Sequence, residues 1–349
     1  MGVWRTLTAK GVTLVGVLLA VLLILVVALG ATGLSDRLLG AVVSEELRGL
    51  RQVLAQTIKD PAELERVLQS RRQQLIESYG LDRLWYFRLP SMVWKVLTLD
   101  LGSARTLKSF TGSARVSDIV LERLPNTVLL VTVALVISGT VGLFLGVKLA
   151  TRVGSKFDRL MSYLSAASYA TPTWWIGILF ILIFAFQFRV FPSGGMHSAP
   201  PPTDGLVRFL DLLWHAALPV LTLVLVSVGS WTYVARTIVL NIAQEDFVTV
   251  ARAKGLPEGL VMRRHIIRVA APPILTNIIL GLAGSLAGAI LTETVFNWPG
   301  MGRLYYNAVL ALDENVIIAL TFMFTLLYVV ARFVLELLYI VLDPRVRYT

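Results

Sequence analysis

Apolar residues run in long blocks along this chain, and the blocks set its architecture. Charge-free apolar stretches cover Gly11–Ser35, Leu124–Val147, Leu160–Phe188, Leu212–Ala235 and Val269–Thr292, and a sixth, Asn315–Asp343, is interrupted by Arg332 and Glu336. A helix needs about 20 apolar residues to cross the hydrocarbon of a bilayer, and strands without a closed barrel leave their backbone unpaired there. The pattern therefore predicts an all-α membrane protein of six transmembrane helices, with both termini on one side. The first stretch has a second reading, a signal peptide with Arg5 and Lys10 before it and Ala28-Leu29-Gly30 as a small-residue cleavage site. Its apolar run exceeds the usual length of about 7–15 residues, which favours an uncleaved anchor.

Between the first two stretches the pattern changes. Residues 35–79 predict helices, with Ser35 able to cap one start and Asp60-Pro61 marking another, Pro61 at the first helical position. Leu64, Val67, Leu68, Leu75 and Ile76 recur at helical spacing. Trp85, Tyr86, Phe87 and Trp94 follow among Arg88 and Lys95. The segment reads as a small helical cap with interfacial aromatics, and no pattern in it points to a substrate site. The chain thus divides into 1–35 (tail and first span), 36–123 (helical insertion) and 124–349 (five-helix core, with an inner loop at 244–268).

Composition agrees with the pattern. Of 349 residues 56% are hydrophobic and 15% charged, with a mean hydropathy of +0.73. Soluble domains carry about 25% charged residues, so a water-soluble enzyme is excluded. The net charge of +10 (32 basic, 22 acidic) reads as topology signal and lipid headgroup contact rather than as a nucleic-acid footprint. With cytosolic termini, the inner segments hold Arg5, Lys10, Lys148, Arg152, Lys156, Arg159, Arg236, Arg252, Lys254, Arg263, Arg264, Arg268, Arg345 and Arg347. The short outer loops hold Arg189, Arg208 and Arg303, the asymmetry expected of positive residues kept inside. There is no cysteine, which removes disulfides and thiolate chemistry. The histidines, His197, His215 and His265, are far apart in sequence.

The inner segment Gln244–Pro257 has an order that an ordinary basic loop does not need. It begins helical, with Phe247, Val250 and Ala251 on one face and Arg252 and Lys254 elsewhere. It turns at Gly255, where a residue without a β-carbon accepts left-handed dihedrals cheaply. Leu256-Pro257-Glu258 opens a new short helix. The result is a helix–turn–helix with small residues and a basic rim, a shape suited to a groove on another protein.

This segment resembles the E-A-A-x-x-x-G loop of ABC importer permeases, in the form D-F/Y-V-x-x-A-R-A-K-G-L of the oligopeptide/dipeptide/nickel permease family. Asp246, Phe247, Val248, Ala251, Arg252, Ala253, Lys254, Gly255 and Leu256 match, while Thr249 and Val250 replace the first two letters of the general form. Further motifs in order resemble the same family: Glu122-Arg123-Leu124-Pro125-Asn126-Thr127, Pro172 to Gly177, Phe191-Pro192-Ser193-Gly194-Gly195, Leu218-Pro219, Glu293 through Gly302 (E-T-V-F-N-W-P-G-M-G) and Leu342-Asp343-Pro344-Arg345-Val346-Arg347-Tyr348. Gly80-Leu81-Asp82 and Asp100-Leu101-Gly102 echo its outer loop, but the usual P-G-D-P after the first span is replaced by Gly33-Leu34-Ser35-Asp36. The resemblance implies the type I permease fold, a coupling helix gripped by an ATP-hydrolysing subunit, and alternating access. It also implies the partners: a homologous second permease, two ABC ATPase subunits and an extracytoplasmic solute-binding protein.

The remaining residues add little chemistry. The sequence has no G-x-x-x-x-G-K-[ST] loop to cradle ATP and no H-E-x-x-H, so the chain is expected to be no enzyme and to hold no cofactor, ATP and Mg²⁺ belonging to the partner subunits. Arg332 and Glu336, at i and i+4, read as a structural charge pair facing the bundle or a partner, with a solute contact as the other option. Glu293 is placed to bond backbone in the Trp298-Pro299-Gly300 turn that Gly302 follows. His215 reads as interfacial. Gly281, Gly284 and Gly288 form a small-residue stripe for close helix packing, read as a subunit contact. The reading is a permease subunit for di- or oligopeptides in the cell membrane. Oligosaccharides or nickel are the alternative cargo. An ion-coupled secondary transporter is the rival class, lacking evident midplane carboxylates or inverted repeats.

Overall fold

The structure is a computed structural model. It describes residues 2–31, 33–82, 84–87 and 101–342, with Pro90, Trp94 and Thr98 as isolated positions between them. At 2–7, 282–288, 314, 336 and some other helical positions it describes the backbone alone. Among the described residues regular structure is helical, apart from a single bridge between Ser103 and Arg115. The principal helices are α1 (Gly2–Ala31), α2 (Leu34–Thr57), α3 (Pro61–Ser78), α4 (Val116–Ala150), α5 (Lys156–Ala170), α6 (Thr173–Phe180), α7 (Gly205–Ala243), α8 (Asp246–Ala253), α9 (Arg268–Gly288), α10 (Ile290–Val295), α11 (Met301–Leu310) and α12 (Glu314–Leu342). Among the described residues α4, α7 and the 315–335 stretch of α12 are each long and apolar enough to cross a membrane. The bent pair formed by α5 and α6 makes a fourth candidate. Helix α1 overlaps the first apolar stretch over 11–31, and the fifth is divided between α9 and α10.

The third apolar stretch corrects a sequence expectation. It is two helices, α5 and the α6 segment that continues in π-type turns to Gln187, meeting at 96°. Pro172 disfavours helical dihedrals at the residue before it, and Thr171 is extended at φ −89°, ψ 128°. Hydropathy registers only that both arms are apolar.

The chain forms two compact units: residues 1–14, 120–306 and 326–349 in one, and 15–119 with 307–325 in the other. In the second unit α2 and α3 form a hairpin, tied by an Arg51–Glu65 pair and by Arg71 to Glu46 at 3.3 Å. Leu68 and Leu75 are its buried residues on α3. Asp60 caps α3 by accepting from the Ala62 N–H, with Pro61 at the first position. Helix α2, by contrast, starts at Leu34 after a left-handed Gly33, so Ser35 is not its cap. The loop before α4 docks on Asp313, whose carboxylate accepts from the Arg105 N–H (2.7 Å) and the Thr106 N–H (3.0 Å).

In the first unit α5 packs closely along α7. The Ser168 hydroxyl donates to the Leu225 and Val226 carbonyls. A β-carbon at Gly229 would stand 2.8 Å from the Ser165 Cα, so this crossing requires glycine. Gly281 faces the Trp231 ring, which a β-carbon there would approach to 2.8 Å. The side-chain environments of Gly284 and Gly288 lie outside the described residues.

Candidate functional site

The elbow that follows α7 is organised from its backbone outward. Helix α7 ends in two short bonds, Gln244 N–H to the Asn241 carbonyl (3.2 Å) and Glu245 N–H to the Ile242 carbonyl (3.1 Å). Glu245 is extended and α8 starts at Asp246. Eight residues later the helix closes with the two bonds of a Schellman cap. The Gly255 N–H reaches the Arg252 carbonyl (2.9 Å) and the Leu256 N–H the Ala251 carbonyl (3.4 Å). Gly255 sits at φ +74° with open space where a side chain would start, so its requirement is purely one of backbone conformation. Pro257 then leads into a single turn, Glu258–Leu260, and π-type turns over Val261–Ile267 that run into α9.

The root of the elbow is buried. Val248 and Ala251 pack against Val239, Val261, Ile266, Ala270 and Ile274, with Leu256 folded onto the same cluster. This revises the expected apolar face. Phe247 and Val250 point away and are about half exposed (42% and 52%), while Ala251 is buried together with Val248. Both pairs are i, i+3 and both are apolar, so periodicity cannot choose between them; the packing of Val261 and Ile266 against one of them does. Asp246, Arg252, Ala253 and Lys254 are exposed. Arg252 donates through Nε (3.1 Å) and Nη2 (2.7 Å) to both Glu258 carboxylate oxygens, bracing the two arms. That hydrogen bonding holds the Glu258 carboxyl below its usual range and raises Arg252 above its own. The exposed surface thus carries Phe247 and Val250, with Leu260 on the second arm, among polar side chains, mounted on a packed root. It has the chemistry of a docking knob.

A second constellation joins two motifs that the sequence shows apart. Trp298 is fully buried, its indole N–H donating to the Asn126 carbonyl (3.0 Å), while the Asn126 side-chain amide donates to the Pro299 carbonyl (2.8 Å). The Glu293 carboxylate accepts from the Thr127 hydroxyl (2.7 Å) and the Arg303 N–H (2.9 Å). Thr127 in turn accepts from the Met301 N–H (2.7 Å), so Glu293 and Thr127 together cap α11. The Glu293 carbonyl accepts from the Trp298 N–H (2.8 Å). A β-carbon at Gly300 would collide with the Glu293 carboxylate, and one at Gly302 would lie 2.7 Å from the Ile290 Cα. Every group here is turned inward, the arrangement of a scaffold rather than of a binding surface.

Residues 120–348 match the family described as the binding-protein-dependent transport system inner membrane component. The chain belongs to that family. Among curated relatives, an oligopeptide transport system permease protein of Bacillus subtilis (strain 168) is 29% identical over 283 residues, 81% of this chain and 87% of the relative. A di/tripeptide transport system permease protein of Pseudomonas aeruginosa (strain UCBPP-PA14) is 30% identical over 307 residues, 83% and 90% of the two chains. A dipeptide transport system permease protein of Escherichia coli (strain K12) is 29% identical over 295 residues, 80% and 86%. As a family member the chain is a multi-pass membrane permease of the ABC importer type, and both the elbow and the Trp298 turn fall within the matched region.

Other sequence-derived candidates are placed differently. Arg332 lies on α12, but the Glu336 side chain is outside the described residues, as are residues 343–349 of the terminal motif. His215 is not merely interfacial: it and His197 both approach Asp211, at 3.3 Å and 3.1 Å, and Ser198 donates to the same carboxylate through N–H (2.9 Å) and hydroxyl (2.6 Å). Among the described residues no three His, Asp or Glu side chains are arranged to hold a metal ion. A further pair meets that no sequence motif joins. Arg236, counted among the inner basic residues, donates through Nε (2.9 Å) and Nη2 (3.0 Å) to both oxygens of Asp158. They are 78 positions apart, and only their opposite signs near two helix ends hinted at a pair.

Proposed function

We propose that this permease forms half of a peptide translocation path and is driven by partner ATPases through the elbow at Asp246–Leu256. The single observation that carries the reading is the division of α8. Val248 and Ala251 anchor it in the bundle, whereas Phe247 and Val250 are left about half exposed. Such an element transmits force only if something grips its outer face. Both termini and the elbow are then cytosolic, in keeping with the basic residues of the inner segments. The complex comprises a second homologous permease, two ATPase subunits that hold ATP and Mg²⁺, and an extracytoplasmic solute-binding protein.

Nucleotide-driven closure of the ATPase pair displaces the elbow, and the helices continuous with it pass from inward-open to outward-open. Di- or oligopeptides are the favoured cargo because the relatives' names specify them. Uptake of a radiolabelled dipeptide pool into proteoliposomes holding the full complex tests the reading. Uptake is expected only with internal-face ATP hydrolysis and is expected to be lost in Gly255→Val while membrane insertion persists. Normal solute-stimulated ATPase activity in that variant contradicts the assignment of the elbow, and uptake driven by an ion gradient without ATP contradicts the class.

A further inference from the structure

The elbow's movement has to reach the rest of the bundle, and the contacts of α7 show one place built for that. Asp158, on the first turn of α5, is buried with 6% of its side chain exposed, and its carboxylate takes the two-pronged donation of Arg236 from α7. A third donor, the Gly154 N–H at 3.0 Å, fixes the same carboxylate, and the Asp158 N–H returns to the Ser155 hydroxyl at 3.1 Å. The loop between α4 and α5 is thereby folded onto the pair. Arg236 lies two helical turns before the end of α7, whose last residue leads into the elbow. Ten residues along α5, or about 15 Å, Ser168 bonds to the carbonyls of α7 and Gly229 closes the gap. Helix α5 then ends at the 96° bend into α6.

We infer that Asp158 and Arg236 are positioning residues that lock α5 to α7, so that displacement of the elbow is delivered to the broken α5–α6 span. Ser168 and Gly229 fix α5 to α7 at one level. A planar guanidinium fork on a carboxylate adds a second fixed level and an orientation, which a point charge does not supply. A buried pair of this kind is poor as a general stabiliser, but two attachment levels are what a lever requires. The inference rests on the proposed coupling function and concerns how force leaves the elbow, not whether it arrives.

The native chain has no cysteine, so single cysteines report cleanly. Gln244→Cys marks the start of the elbow, where α7 ends, and Tyr169→Cys the far end of α5; both side chains are on the outside of this chain. In the full complex in nanodiscs, the rate of labelling by N-ethylmaleimide, which reaches thiols facing lipid as well as water, is measured with and without ATP–vanadate trapping. In the parent both sites are expected to change rate severalfold on trapping. In Asp158→Asn the Gln244→Cys response is expected to remain and the Tyr169→Cys response to vanish, with solute-stimulated ATPase reduced to the basal rate. Arg236→Lys keeps the charge but loses the fork; it serves where Asp158→Asn does not assemble, and at least half of the parental change at Tyr169→Cys should disappear. A full parental response at Tyr169→Cys in either variant overturns the inference alone. No response at either cysteine in the parent overturns the coupling function and the inference with it.

Discussion

Around Glu293 and around Ala251 the chain makes tight turns of similar length, and the two are finished in opposite ways. At the first, Trp298, Glu293 and Thr127 are buried and hydrogen-bonded to backbone, and both glycines are there because no atom fits beside them. At the second, only the root is packed. Gly255 is there for its dihedral rather than for lack of room, and Phe247 and Val250 face outward. A turn that satisfies all of its own groups has nothing left to offer a partner. One that leaves apolar side chains unsatisfied on a rigid base is a surface in waiting. The comparison separates residues whose loss should unfold the protein from residues whose loss should uncouple it.

The sharpest break of that comparison is Glu293→Ala. It strips the acceptor from Thr127 and from the α11 amide of Arg303, and each buried group left unsatisfied costs about 1–3 kcal/mol. A total above about 2 kcal/mol is expected, read as a lower unfolding temperature in detergent and poor recovery from membranes. If the variant is as stable as the parent, the turn is not the scaffold described. Next in size is Gly255→Val, where forcing a β-branched residue to positive φ costs about 1–3 kcal/mol. Because the site is exposed, the loss should stay local: hydrogen exchange accelerates over 246–258 and not over 290–304. Acceleration in both places would show that the two turns are not independent.

Smaller in stability, though not in function, is Phe247→Ser. An exposed substitution of this kind is expected to shift stability by no more than about 0.5 kcal/mol, while ATPase subunits fail to co-purify with the permease. Unchanged co-purification removes Phe247 from the docking face. The smallest effect concerns the brace between Arg252 and Glu258. Glu258 has its carboxyl lowered by the bond from Arg252. The brace is therefore complete above the ordinary carboxylate range and is lost as pH falls through the lowered value; the raised Arg252 keeps it intact on the alkaline side. Protection of the elbow amides should weaken on acidification in the parent and show no such step in Arg252→Ala. Both groups are exposed, so about 1 M salt, with a screening length near 3 Å, should flatten the parent's profile too.

Much of this was legible in the linear chain, and the reason is locality. Crossing a bilayer depends on the summed apolarity of some 20 neighbouring residues, so the stretches beginning near Leu124, Leu212 and Asn315 appear as α4, α7 and α12, the first two helices running about two turns beyond the apolar block. The stop at Gly255 and the start at Asp60-Pro61 depend on single residues' dihedral preferences, and they stand where the pattern put them. The family too was readable, since its motifs are short and ordered. Tertiary structure alone decided which face of α8 turns inward, because both faces are apolar and only the arrival of Val261 and Ile266 distinguishes them. It alone brought Asp158 to Arg236 and Thr127 to Glu293, across 78 and 166 positions. Charge and hydrogen bonding gain their worth from which distant segment arrives and how much water it displaces, and neither quantity is a property of neighbours along the chain.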